Sequence, residues 1–102
     1  MTHTGRATAT VNGVTVAETT EWEEVEGNVY FPPGSLTRDL FEGPTGHTTH
    51  CPWKGDAQYY HVKTGDIKLE NAAWYYPDTK DKAKHFEGYV AFYKSKVDIT
   101  TE

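Results

Sequence analysis

Apolar and polar residues alternate over short runs, and turn-forming residues break those runs before any helix of more than two turns could form. Thr and small apolar residues alternate from Ala7 to Val11, Asn12-Gly13 interrupts, and Val14 to Ala17 resumes the pattern. Two β-favouring runs around Asn-Gly predict a hairpin, because a type I′ turn needs φ > 0 at both central residues. Strands are predicted over 6–11 and 14–19. Val29-Tyr30-Phe31 predicts a short strand stopped by Pro32-Pro33, and Ser35 is placed to N-cap one helical turn over Leu36–Phe41. Gly43 to Gly46 reads as a loop. Ala57 to Lys63 alternates again, and Thr64-Gly65-Asp66 turns the chain into Ile67–Glu70 for a second hairpin. The strand continues or restarts through Ala72–Tyr76. Residues 78–86 predict a loop with one helical turn, 89–93 a strand, and 97–99 a further short one. Seven or so strands with Gly and Pro punctuation predict one all-β domain, sandwich or small barrel.

Composition sharpens this picture. The chain has 102 residues, enough for one domain core. Its net charge of -5 argues against a nucleic-acid backbone partner, which needs clustered positive charge. Phe, Trp and Tyr number 14 against 13 Val, Ile and Leu, so rings either build the core or line a pocket. The run Glu18–Glu26 holds five glutamates. It reads as a patch for a cation or basic partner or, more commonly for such runs, as a solvated loop or edge strand. No stretch approaches the ~20 apolar residues of a membrane span, and no charged segment leads into an apolar run at the start. A reducing, cytoplasmic setting is expected, with one cysteine and no disulfide.

Reactive side chains concentrate in His47-Thr48-Thr49-His50-Cys51-Pro52-Trp53-Lys54-Gly55. A nearby ammonium stabilises a thiolate, and Gly55 lets the backbone turn Lys54 back over Cys51. The plainer alternative makes Cys51 a small buried hydrophobe, Lys54 a solvated charge and Trp53 a core ring. His47 and His50 point to opposite faces of an extended segment, and no metal or other cofactor is expected. Asp39 and Asp56 are acid/base candidates whose ordinary role would be capping or solvation. Arg38 could hold a carboxylate or phosphate, or pair with Glu42 four residues on. The adjacent rings Tyr59-Tyr60 and Trp74-Tyr75-Tyr76 must face both sides of their strands. One side then meets core, and the other meets solvent, a second layer or a ligand.

Cys51-Pro52-Trp53-Lys54-Gly55-Asp56-Ala57-Gln58-Tyr59-Tyr60 resembles the CPxKGxAxYY signature of the DUF427 family. The resemblance continues in Tyr30-Phe31-Pro32, Asp39-Leu40, Thr49, Ala72–Pro77 and Gly88–Tyr93, and covers about Arg6 to Asp98. It implies a small single-domain, mainly β fold of the β-tent or Mss4-like barrel type. Relatives of that fold often hold zinc with two pairs of cysteines; one cysteine does not support that carry-over. The family has also been labelled nucleotidyltransferase-like. Here Gly34-Ser35 is followed by a single Asp39 without a spaced carboxylate pair, so that activity is not carried over.

Together these residues suggest a small-molecule binding domain with Lys54 as a positive donor and Cys51 or Arg38 nearby. Tyr59, Tyr60, Trp74 and Tyr76 would form its walls, with Asp39 and Thr49 at the same site. The expected ligand is small and anionic or carbonyl-bearing. The alternatives are an enzyme using Cys51 as a thiolate, and a structural module that dimerises through an edge strand or an aromatic face. No nucleic-acid or membrane partner is expected, and the chain would be a monomer or homodimer.

Overall fold

A computed structural model describes residues 2–102. Among them, nine strands and three 3-10 turns form two antiparallel sheets. The first sheet has the order β3-β2-β1-β9, built from β1 (Thr2–Val11), β2 (Val14–Val25), β3 (Asn28–Tyr30) and β9 (Asp98–Thr101). In the second, β4 (Phe41–Glu42), β6 (Gly55–Thr64), β7 (Ile67–Tyr75) and β8 (Val90–Phe92) lie side by side, and β5 (Thr48–Cys51) also pairs with β6. One sheet curls into a half-barrel. The mainly β, single-domain expectation holds, with helical content confined to short turns. No helix among the described residues is long and apolar enough to cross a membrane.

The Asn12-Gly13 hairpin forms as expected, with φ of 52° and 78°. Its strands run further than predicted, because the glutamate-rich segment is the second half of β2. That segment is neither loop nor edge: β1 pairs along one side of it and β3 along the other. Trp22 and Val25 point inward and are buried, and Glu26-Gly27, both left-handed, turn the chain into β3. Apolar anchors outweigh the charge between them.

Ser35 does not cap the turn after it. Its hydroxyl bonds back to the Pro32 carbonyl at 2.6 Å, and two separate 3-10 turns, Pro33–Ser35 and Arg38–Leu40, replace the single turn expected. The Arg38–Glu42 pair is also absent, since Phe41-Glu42 is already extended on β4. There Glu42 takes Lys63 at 3.2 Å and Lys68 at 3.1 Å.

The paired rings are explained by a core on each face of the second sheet. Val62, Ala73 and Phe92 face the first sheet and join Ala7, Val16, Trp22 and Phe31. Ala57, Tyr59, Tyr76 and Ala91 face the other way and join Val25, Tyr30 and Phe86. The 3-10 turn Asp81–Phe86 caps this second cluster and buries Ala83 and Phe86. The two sheets are joined where Phe31 and Val90 exchange backbone hydrogen bonds of 2.8 Å each.

Candidate functional site

The signature segment is one tight hairpin, β5 turning into β6, and alternation divides its side chains between two places. Lys54 goes inward. Its side chain is only 10% exposed, and its ammonium donates to Glu26 while lying 5.5 Å from the ring centres of both Trp53 and Tyr76. Burial pulls the Lys54 ammonium down, but the Glu26 carboxylate and the neighbouring Tyr30 and Tyr76 oxygens outweigh it, so the net displacement is upward. Tyr30 is pushed up to about 12, chiefly by burial, and accepts the Trp74 indole N–H at 3.1 Å. Phe86 packs 4.9 Å from Tyr30 and 6.2 Å from Tyr76. Half-buried Cys51 packs against the same cluster. This is a filled region holding a satisfied charge, and Lys54 lines none of four surface clefts.

The other place is open. A cleft of about 260 Å³ is lined by His47, Tyr59, Asn71, Tyr93, Ser95 and Lys96. The Thr49 hydroxyl lies 3.0 Å from the Tyr59 hydroxyl, which lies 3.3 Å from that of Tyr93. The His47 ring lies tilted against Tyr59 at 4.5 Å, and Trp74 supports Tyr93 at 4.7 Å. The hydrogen bond shared with Tyr59, aided by burial, pushes Tyr93 up to about 12, and either hydroxyl of the pair can be the donor. The Lys96 ammonium sits 5.9 Å from the Tyr93 ring centre and donates to the Glu70 carbonyl at 2.9 Å.

The family model described as Domain of unknown function (DUF427) matches residues 2–102. The chain belongs to the DUF427 family. Comparison with curated proteins found no match.

The structure does not gather the residues expected at a single DUF427 site. Tyr59 lines the cleft, with Thr49 bonded to it and Trp74 packed on Tyr93, whereas Lys54, Tyr76 and Cys51 share the packed cluster. Arg38 and Tyr60 lie on the opposite face of the second sheet. There Arg38 donates to the Tyr60 hydroxyl at 3.2 Å, and Tyr60 stacks on Tyr75 at 4.7 Å. Burial, with Tyr60 beside it, pushes Tyr75 up to about 12. Asp39 is exposed on the turn Arg38–Leu40. His47 and His50 diverge as strand alternation requires: His50 turns away to Asp56, with Nδ1 2.7 Å from Oδ1. Sequence reasoning missed Tyr93, Asn71 and Glu26. Tyr93 was visible as an aromatic at the end of a strand, but nothing in the sequence placed it against Tyr59.

A third contact fixes the hairpin from outside. Gly55 bridges Thr79, and Thr79 gives both its N–H (2.9 Å) and its hydroxyl (3.0 Å) to Glu87. The Thr79 backbone N–H, then Lys84 and the Thr79 hydroxyl, hold Glu87 down at about 2. A depressed carboxylate stabilises the fold above its ordinary pKa of 4.5, and the contribution is lost as pH falls towards 2. Urea midpoints at pH 7 and pH 3 should therefore converge in Glu87→Gln relative to the parent. An unchanged pH dependence would show that the Glu87 contacts do not form.

Proposed function

We propose that this DUF427 domain binds a small molecule bearing a carboxylate or carbonyl oxygen in the Tyr59–Tyr93 cleft. One observation carries the reading. Three hydroxyls, on Thr49, Tyr59 and Tyr93, make two hydrogen bonds among themselves and bring three protons to them. One proton is left over and needs an outside acceptor.

The rest of the lining agrees with an oxygen ligand. Lys96, Ser95 and the Asn71 amide add donors, and no carboxylate lines the cleft, in a chain of net charge -5. The ring walls of His47, Tyr59 and Tyr93 suit a flat apolar body, and the volume limits the ligand to a small one. The thiol reading lacks comparable support, because the cation that would activate Cys51 is engaged by Glu26.

Benzoate combines a flat ring with a carboxylate and serves as the probe. In ¹⁵N-labelled protein, benzoate should shift the amide signals of Tyr59, Asn71 and Tyr93. Tyr93→Phe removes the end hydroxyl and should weaken binding about tenfold, the value of one hydrogen bond to a charged group, with the urea midpoint unchanged. Absence of any shift at millimolar benzoate would rule this site out for such ligands.

A further inference from the structure

The register slip between β6 and β7 lies beside the cleft and has its own geometry. Between Tyr60 and Val62 the pairing with β7 breaks, and Asn71 adopts a left-handed conformation with φ of 48°. Its backbone N–H donates to His61 Nδ1 at 2.9 Å. Its side-chain Oδ1 accepts the Thr45 hydroxyl at 2.6 Å. Thr45 in turn accepts the His47 N–H at 3.3 Å and gives its own N–H to the Tyr59 carbonyl at 3.0 Å. One bonded path therefore runs from His61 through Asn71 and Thr45 to His47 and Tyr59.

We propose that His61 is the positioning residue of the Tyr59–Tyr93 cleft, and that the cleft is set for its ligand only while His61 Nδ1 is an unprotonated acceptor. This rests on the ligand-binding reading above. The mechanism is a count of donors. A neutral imidazole has one donor and one acceptor, whereas its cation has two donors. Protonation at Nδ1 would set an N–H against the Asn71 N–H. Asn71 would have to move, and Thr45 is tied to it.

Strand pairing sets charged groups beside His61. Glu42 on β4 is its cross-strand neighbour, Lys63 follows on β6, and Lys68 and Glu70 lie on β7. Lys68 and Lys63 hold the Glu42 carboxyl below its usual range, so Glu42 stays charged. His47 lines the cleft as well, and protonation there would act the other way. Its cation favours an anionic ligand, so it would strengthen binding as pH falls.

Benzoate titrations at pH 7.5 and 5.5 test the idea. Wild-type affinity should fall about tenfold at the lower pH, through loss of one hydrogen bond. His61→Gln offers a side-chain oxygen that can take the Asn71 N–H and does not titrate. It should abolish that fall, leaving a profile that is flat or rises towards acid through His47. His61→Leu has no acceptor and should bind weakly at both values. If the leucine variant does not fold, the comparison of glutamine with wild type decides.

A second readout needs no ligand: the Asn71 and Thr45 amide signals should move between the two pH values in wild type and stay still in His61→Gln. Equal movement in both proteins, or an equal loss of affinity, overturns the proposal. Amide signals that follow His61 while benzoate binds at neither pH would uphold the positioning and overturn the ligand reading alone.

Discussion

Gly55→Ala is expected to lower the free energy of unfolding by about 3 kcal/mol, combining backbone strain with a steric clash. Gly55 has φ of +122°, and a Cβ there would lie 2.7 Å from the Asp78 carbonyl oxygen. That oxygen belongs to backbone and cannot rotate away like a side-chain tip. Relieving the clash means moving the 78–79 segment, which carries the Gly55–Thr79 bridge and the bond from the Lys80 N–H to the Lys54 carbonyl at 3.2 Å. Gly13 supplies the control. It also has a positive φ, +78°, but nothing lies within 4 Å of its would-be Cβ. Gly13→Ala should therefore cost only the left-handed term, about 1–2 kcal/mol. Urea denaturation of both variants measures the difference. Equal losses would mean that the close approach at Gly55 contributes nothing.

The buried ammonium leads to a second large and asymmetric effect. Glu26→Ala should destabilise by about 2 kcal/mol, because it strands a nearly buried charge. Lys54→Met should cost less than about 1 kcal/mol. The methionine keeps the apolar stem among Trp53, Tyr76 and the rings behind them, and half-exposed Glu26 can return to water. The pair also sets a pH dependence. The Lys54 hydrogen bond lowers the Glu26 carboxyl below 4.5, so its stabilisation is present above that value and lost as pH falls. Lys54→Met further separates the two ligand readings. With the cleft as the site, the methionine variant binds benzoate as the parent does. Loss of binding in that variant would return the site to Lys54 and overturn the cleft.

The strand pattern was legible because it is local. Asn12-Gly13 demanded a hairpin through its own torsion angles, and alternation at Ala57–Lys63 needed no partner to be recognised. The Glu18–Glu26 segment was misread for the complementary reason. Charge density suggested solvent, but strand membership depended on Trp22 and Val25 meeting cores assembled from distant parts of the chain. The Ser35 cap and the Arg38–Glu42 pair failed similarly, since both required a helical turn that the extended start of β4 displaces.

The sequence by itself determined the fold class, the family signature and the fact that rings must occupy both faces of their strands. These follow from side-chain period and from backbone torsions, which neighbouring residues set. Tertiary structure alone decided that Lys54 would find Glu26, 28 positions earlier, and that Tyr59 would meet Tyr93, 34 positions later. The first pairing depends on how the two sheets join at Phe31–Val90 and the second on the order β6-β7-β8 within one sheet, packing outcomes that no local spacing encodes. For that reason the signature residue expected to hold a ligand is folded into a packed cluster, and Tyr59 and Tyr93 line a separate cleft.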